Sequence, residues 1–280
     1  MTRYLKWEGR LASAVLIAAL VGVLIFFYTP IATLIAFSFK ESRFMSIPFE
    51  GWSLQWYNEL LSSEDFLPAL FHSFLIAVIT TVVTGVIGTA GAIAWVRYNF
   101  RFKRLFQALA VLPLIFPQLL LGVMLLFWFS VLSSWLDFGP SMWTVIPGHV
   151  LYVTPFVLLI VSVQVYGLDD SLEQAARDAG AGEWAVFREI TFPLIWPGVF
   201  AAMVFAFLLS WGNFYITYSL SGTTRTLPTF VFSGIHIGSS PVYPALATLT
   251  FVPALVLVLL ADVYRRRGAR RPKQGTPAQA

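Results

Sequence analysis

Six long apolar runs divide this chain, at 11–38, 67–96, 105–130, 144–166, 196–219 and 242–264. Each reaches the roughly 20 residues that a helix needs to cross a hydrocarbon core. The pattern predicts an all-α integral membrane protein with six transmembrane helices. The first run is too long for a signal-peptide core, and no clear cleavage site follows it, so it reads as a retained anchor. Pro30, Pro113, Pro117, Pro155 and Pro253 fall within runs. They predict kinks in helices whose neighbours re-satisfy the freed carbonyls. Residues 1–266 read as one transmembrane domain. The tail 267–280 is basic, then rich in Pro, Gly, Gln and Ala, and reads as disordered. No sequence repeat is evident.

The polar interval 168–195, between the fourth and fifth runs, has its own pattern. Ser171 predicts an N-cap, with Gln174 at capping-box spacing. Leu172, Ala175, Ala176 and Ala179 then share one helical face. Gly180 predicts a C′ stop. Trp184, Phe187 and Ile190 recur at three-residue spacing, and Pro193 closes a second short helix. A small-residue face suits a helix that lies deep in another protein's groove. An ordinary loop hairpin is the plainer alternative.

Composition agrees with the runs. Hydrophobic residues make up 58% of the chain and charged residues 11%, with mean hydropathy +0.77. A soluble domain carries about 25% charged residues. The absence of cysteine excludes disulfides, thiolate catalysis and Cys-based metal sites. His72, His149 and His236 lack ligand spacing and read as loop or core histidines, not as a metal site. The net charge of +4 does not imply nucleic acid, because the basic residues cluster at the ends of runs. There is no P-loop or GxGxxG sequence, so no nucleotide site of that kind lies on this chain.

Lysine and arginine set the orientation. Fifteen of the 18 lie on one side: Arg3, Lys6 and Arg10, then Arg97 to Arg104, Arg177 and Arg188, and the cluster from Arg265 to Lys273. Only Lys40, Arg43 and Arg225 lie on the other. The rule of positive cytoplasmic loops puts both termini and the 168–195 interval in the cytoplasm. The 40–66 loop is then external. Its Trp52, Trp56 and Tyr57 suit an interfacial belt or, alternatively, a surface for an external partner. The basic tail suits anionic lipid heads.

The 168–195 interval also resembles the EAA loop of ABC-importer permeases, with Gln174-Ala175-Ala176, Gly180, Ile190 and Phe192-Pro193 in the motif's order. Gln174 takes the place of the motif's Glu, with Glu173 just before it, and Phe192 takes the place of its Leu. The resemblance extends along the chain. Residues 38–44, 96–104, 112–122, 210–217 and 226–228 are similar, in one consistent order, to permeases of the spermidine/putrescine importer family. What the resemblance implies is a subunit of the bacterial inner membrane, working with an ATPase dimer, a second and homologous permease chain, and an extracytoplasmic substrate-binding protein. ATP and Mg would be bound by the ATPase, with no cofactor on this chain. The docking residues it implies are Leu172, Glu173, Gln174, Ala175, Ala176, Ala179, Gly180, Ala181, Trp184 and Phe187.

Two departures bear on cargo. Where the family's third span has Glu after proline, this chain has Gln118, and where acids stand in the fifth span it has Gly212-Asn213. An acid is costly in a membrane and suits a cationic cargo, so its absence weakens a polyamine assignment. Gln118, Trp211, Asn213 and Tyr215 are the candidate pathway residues, with Trp211 and Tyr215 read first as lipid-facing. Gln118 and Asn213 are equally readable as helix-packing amides, and Gln164 and Thr217 read as such. Two other functions compete. An integral-membrane enzyme would need a catalytic constellation, and none is evident. An ion-coupled carrier would show midplane ionisable groups and a pseudo-repeat. A small polar solute moved by an ATP-driven importer is the reading the sequence favours.

Overall fold

The computed structural model describes residues 2–44, 47–49, 51–237 and 240–252. Among them the chain is helical, with a single isolated antiparallel bridge between Lys40 and Trp52. Five helices are long and apolar enough to cross a membrane. They are α1 (Thr2–Ser38), α3 (Phe66–Arg97), α5 (Gln118–Leu136), α6 (Met142–Tyr166) and the continuous stretch Glu183–Trp211, whose main part is α9 (Phe192–Trp211). Shorter helices are α2 (Gln55–Leu61), α4 (Lys103–Val111), α7 (Asp170–Asp178), α8 (Glu183–Val186), α10 (Tyr215–Leu220), α11 (Leu227–Ile237) and α12 (Val242–Val252). The sixth apolar run begins with α12; its remainder from 253, and the basic tail, lie outside the described residues.

The described residues form two compact units, one within 64–233 and one within 1–63 together with 234–252. In the second of these, α1 leaves its apolar side chains from Val15 to Tyr28 exposed. Lipid tails are as apolar as leucine, so a membrane removes the cost of that exposure. The loop after α1 is built around Lys40, which is fully buried. Its Nζ donates to Phe44 O at 2.8 Å and sits 5.9 and 5.7 Å from the ring centres of Phe37 and Phe49. Trp56 Nε1 donates to Lys40 O at 2.5 Å, and the Tyr57 and Ser38 hydroxyls lie 2.7 Å apart. Trp56 is therefore a buried clamp, not part of a belt or docking face. Trp52 stays 72% exposed.

The unit 64–233 packs α3, α6 and α9 around one apolar core, which includes Ala92, Val157, Val161, Ile195 and Ala202. Small residues permit the approach. A β-carbon on Gly88 would lie 2.6 Å from Val157 Cγ1. One on Gly198 would lie 2.9 Å from the stem of Gln164, which gives that residue the packing role expected of it. A second core joins α3, α5, α6 and α10 through Ile76, Leu121, Val145, Ile216 and Leu220.

Two runs differ from their expected form. The third is not one kinked helix across 105–130. It is α4, a 3₁₀ turn at Leu112–Leu114, a break, and α5. Pro113 and Pro117, four residues apart, each remove one helical donor, and each disfavours helix in the residue before it. Pro117, at φ −56° and ψ 133°, leads into α5 as its N-cap residue. The fifth run also breaks: α9 stops at Trp211 and α10 starts at Tyr215.

Candidate functional site

The interval after α6 builds α7. The structure starts this helix two residues earlier than Ser171 implies: Asp169 is the N-cap, and its carboxylate accepts from Ser171 N–H at 2.9 Å. That hydrogen bond holds the Asp169 carboxyl below its usual range. At the other end Gly180 has φ +89°, open to glycine and strained for other residues. Gly180 N–H donates to Arg177 O at 2.9 Å and Ala181 N–H to Ala176 O at 3.0 Å, the paired bonds of a Schellman stop. The predicted stop at Gly180 is thus present.

The second helix does not end at Pro193. α8 passes through a π-helical turn, Phe187–Thr191, directly into α9. In that turn Phe192 N–H donates to Phe187 O. Shifting the bond by one residue fits a proline, which has no N–H, into a continuing helix. Trp184, Phe187, Phe192 and Trp196 form a ladder of ring contacts, at 5.5, 5.8 and 5.4 Å, from α8 into α9.

The faces of α7 divide cleanly. Leu172, Gln174, Ala175, Ala179 and Gly180 are exposed, Ala176 and Ala181 are half-buried, and Trp184 is 69% exposed. Phe187 is half-buried. Glu173, in contrast, is turned inward and buried. Its Oε1 accepts from the buried Thr191 hydroxyl at 2.8 Å and lies 3.6 Å from Arg97 Nη2. Arg97, the last residue of α3, also pairs with Asp170 and donates to Leu168 O at 3.2 Å. Arg177 forks onto Glu183, at 2.7 and 3.1 Å. One residue along a helix is a turn of about 100°. The acid at 173 therefore cannot stand in for an acid at 174: the first faces the chain and the second faces out.

The pathway candidates gather near the two breaks. Gln118 is the first residue of α5, and its Nε2 donates to the Tyr152 hydroxyl of α6 at 2.5 Å. Tyr152 touches Phe156, which touches Phe205 of α9. Asn213 lies in the gap between α9 and α10 and is buried. Its side chain is committed: Oδ1 accepts from Ile216 N–H at 3.1 Å, capping α10. Trp211 stacks on Phe207 at 5.7 Å, and Tyr215 is 49% exposed.

A polar relay that the sequence pattern missed surrounds Asn213. Thr217 Oγ1 donates to Asn213 O at 2.6 Å. Its single hydrogen being used, it accepts from Nε2 of buried His149, 2.9 Å away. His149 Nδ1 then accepts from the Ser210 hydroxyl at 2.8 Å. His149 is thus a core histidine, as its lack of ligand spacing implied, and it bridges the two sides of the α9–α10 break.

Comparison with known proteins follows the same lines. Residues 86–274 match the family described as binding-protein-dependent transport system inner membrane component. The spermidine/putrescine transport system permease protein PotC of Escherichia coli K12 is 32% identical over 242 residues, 86% of this chain and 90% of that protein. The putrescine permease PotI of the same strain is 33% identical over 262 residues, 89% and 92% of the two chains. A bacterial alginate ABC transporter, solved in complex with an alginate pentasaccharide-bound periplasmic protein, shares the fold at TM-score 0.72 and 19% identity over 93% of this chain and 95% of its own. The inward-facing MetNI methionine ABC transporter gives TM-score 0.57 and 17% identity over 75% and 100%. With residues 86–274 inside the family model and such identity to permeases along most of its length, this chain belongs to the inner membrane components of binding-protein-dependent transport systems.

Proposed function

We propose that this permease subunit carries a small polar organic solute, polyamine-type or related, inward by ATP-driven alternating access. In this reading α7 and the turn after it dock on an ATPase subunit, which binds the ATP and Mg. A second, homologous permease chain completes the path, and an extracytoplasmic binding protein delivers the solute. Both termini face the cytoplasm, and a sixth span follows α11. Closure of the ATPase pair would displace α7, and the spans would reopen on the other face.

The observation that carries the reading is the face of α7. Ala175 and Ala179 are exposed on a helix capped at both ends, beside the exposed Leu172 and Trp184. Exposed small residues let a helix settle against a partner without clash. The inner face of the same helix is tied down by Glu173.

The cargo assignment draws on relatives whose names specify spermidine and putrescine. The two helix breaks support a path between α5, α6 and α10, because irregular backbone at membrane depth occurs where it is buried in protein or lines a cavity. Ala176→Trp tests docking. It should release the ATPase from the purified complex or uncouple hydrolysis from uptake. Normal ATPase retention together with normal uptake would overturn the assignment of α7.

A further inference from the structure

The charged residues beneath α7 do something that its exposed face does not. Three residues link α7 to α6 and four link it to α8. A β-carbon on Gly180 or Gly182 would meet nothing within 4 Å, so no neighbouring side chain packs against the second linker at either glycine. Held by these linkers and by the Arg177–Glu183 pair at its far end, a nine-residue helix would still pivot when pushed at its start. α3 has no covalent link to α7 nearby; its end at Arg97 is far away in sequence.

Apolar packing does not fill the space between them. A cavity of about 670 Å³ lies among Ile93 and Tyr98 of the α3 end, Gln174 of α7, and Trp184, Val186 and Phe187. Charge crosses this space where packing does not. Arg97 reaches Asp170, Glu173 and the Leu168 carbonyl with one guanidinium, and its side chain is only 16% exposed. Glu173 then passes the link to Thr191, in the π turn that leads into α9. The node therefore joins three segments: the end of α3, the docking helix, and the start of the fifth-run helix. A forked, planar cation can hold two carboxylates and a carbonyl at once, and an ammonium does so poorly.

We propose that Arg97 is a positioning residue that makes α7 and the end of α3 move as one body, so that displacement of α7 by the ATPase reaches α3 as well as α9. The inference rests on the reading that α7 docks on an ATPase. Without Arg97, α7 still docks, but its push reaches the membrane helices only through the path into α9.

The test uses the full importer in proteoliposomes, with uptake and ATP hydrolysis measured in the same vesicles. Arg97→Met should raise the ATP hydrolysed per solute imported by about 5-fold or more, the low end of typical coupling energies. Arg97→Lys should fall between it and the native chain. Arg97→Met with Glu173→Gln should be no worse than Arg97→Met alone, because both break one link. A merely structural role would lower uptake and hydrolysis in proportion, leaving the ratio unchanged, and that result overturns the proposal.

A second measurement needs no weakened chain. The protein lacks cysteine, so spin labels can be placed at Asn99→Cys and Ser171→Cys, both exposed. Their separation should stay constant, within about the 1–2 Å of a small helix shift, between nucleotide-free and ATP-bound importer. A larger change overturns the proposal even if Arg97→Met fails to fold. A cross-link from Ala175→Cys to the ATPase separates the two readings. If it forms and the ratio is unchanged, only the role of Arg97 falls. If it does not form, the docking assignment falls with it.

Discussion

His149 Nε2 lies 2.9 Å from the Thr217 hydroxyl, and that hydroxyl is itself 2.6 Å from Asn213 O. One threonine oxygen thus satisfies a donor on α6 and an acceptor in the gap between α9 and α10. Thr217→Val keeps the shape and removes both bonds, leaving a buried N–H without its partner. The cost should be about 1–3 kcal/mol. Thr217→Ser keeps both bonds and should stay near native stability. Thermal unfolding of the two variants in detergent reads the difference directly. A valine variant as stable as the serine one would mean that the relay does not hold the break.

Gly180 offers a second test. Its φ of +89° closes α7. Gly180→Ala places a β-carbon in a left-handed backbone at a cost of roughly 1–2 kcal/mol. No neighbour lies within 4 Å of that β-carbon, so backbone strain is the whole effect. The expected result is a frayed α7, seen as faster amide exchange at Ala179–Ala181, with exchange in α6 unchanged. Equal exchange in both proteins would show that the closure tolerates a side chain.

Orientation is tested separately. The asymmetry of 15 Lys and Arg against three predicts that the C-terminus and the loop after α1 lie on opposite sides. Reporter fusions after residue 280 and within 45–60 should show activity typical of the cytoplasm and of the periplasm, respectively. A periplasmic tail would invert the chain and remove α7 from the ATPase side.

The long helices were legible because about 20 apolar residues leave a membrane chain little alternative. α3 and α6 match their runs to within two residues at either end. The breaks were not legible, because apolarity continues across them: Ile115, Phe116 and Pro117 read as span, and Gly212-Asn213-Phe214 is too short to interrupt a hydropathy pattern. The start of α7 was ambiguous for another reason. Asp169, Asp170 and Ser171 are all good caps, and only the extended backbone of Asp169, φ −71° and ψ 119°, selects among them. His149 hid because its partners lie 61 and 68 residues away. Nothing in the sequence announced the burial of Lys40 in the loop after α1.

The two amides among the pathway candidates now separate. Asn213 is buried, and its carbonyl caps α10. Asn213→Leu removes that cap and should destabilise the chain by about 1 kcal/mol or more. Gln118 is half-buried, at the first turn of α5, and among the described residues its side chain bonds to the Tyr152 hydroxyl at 2.5 Å. Breaking that pair leaves neither group deeply buried, so Gln118→Leu should cost less than Asn213→Leu. If Gln118 lines the path, its effect belongs in transport instead. An amide offers a donor and an acceptor but no charge. Tyr152→Phe should then resemble Gln118→Leu, with uptake at saturating binding protein reduced and ATP hydrolysis retained. The double variant should be no worse than either single one, because the pair acts as a unit. Full uptake by Gln118→Leu would leave Gln118 a packing amide and place the path elsewhere. Loss of uptake in Asn213→Leu at unchanged stability would reverse the assignment, giving Asn213 the cargo and Gln118 the scaffold.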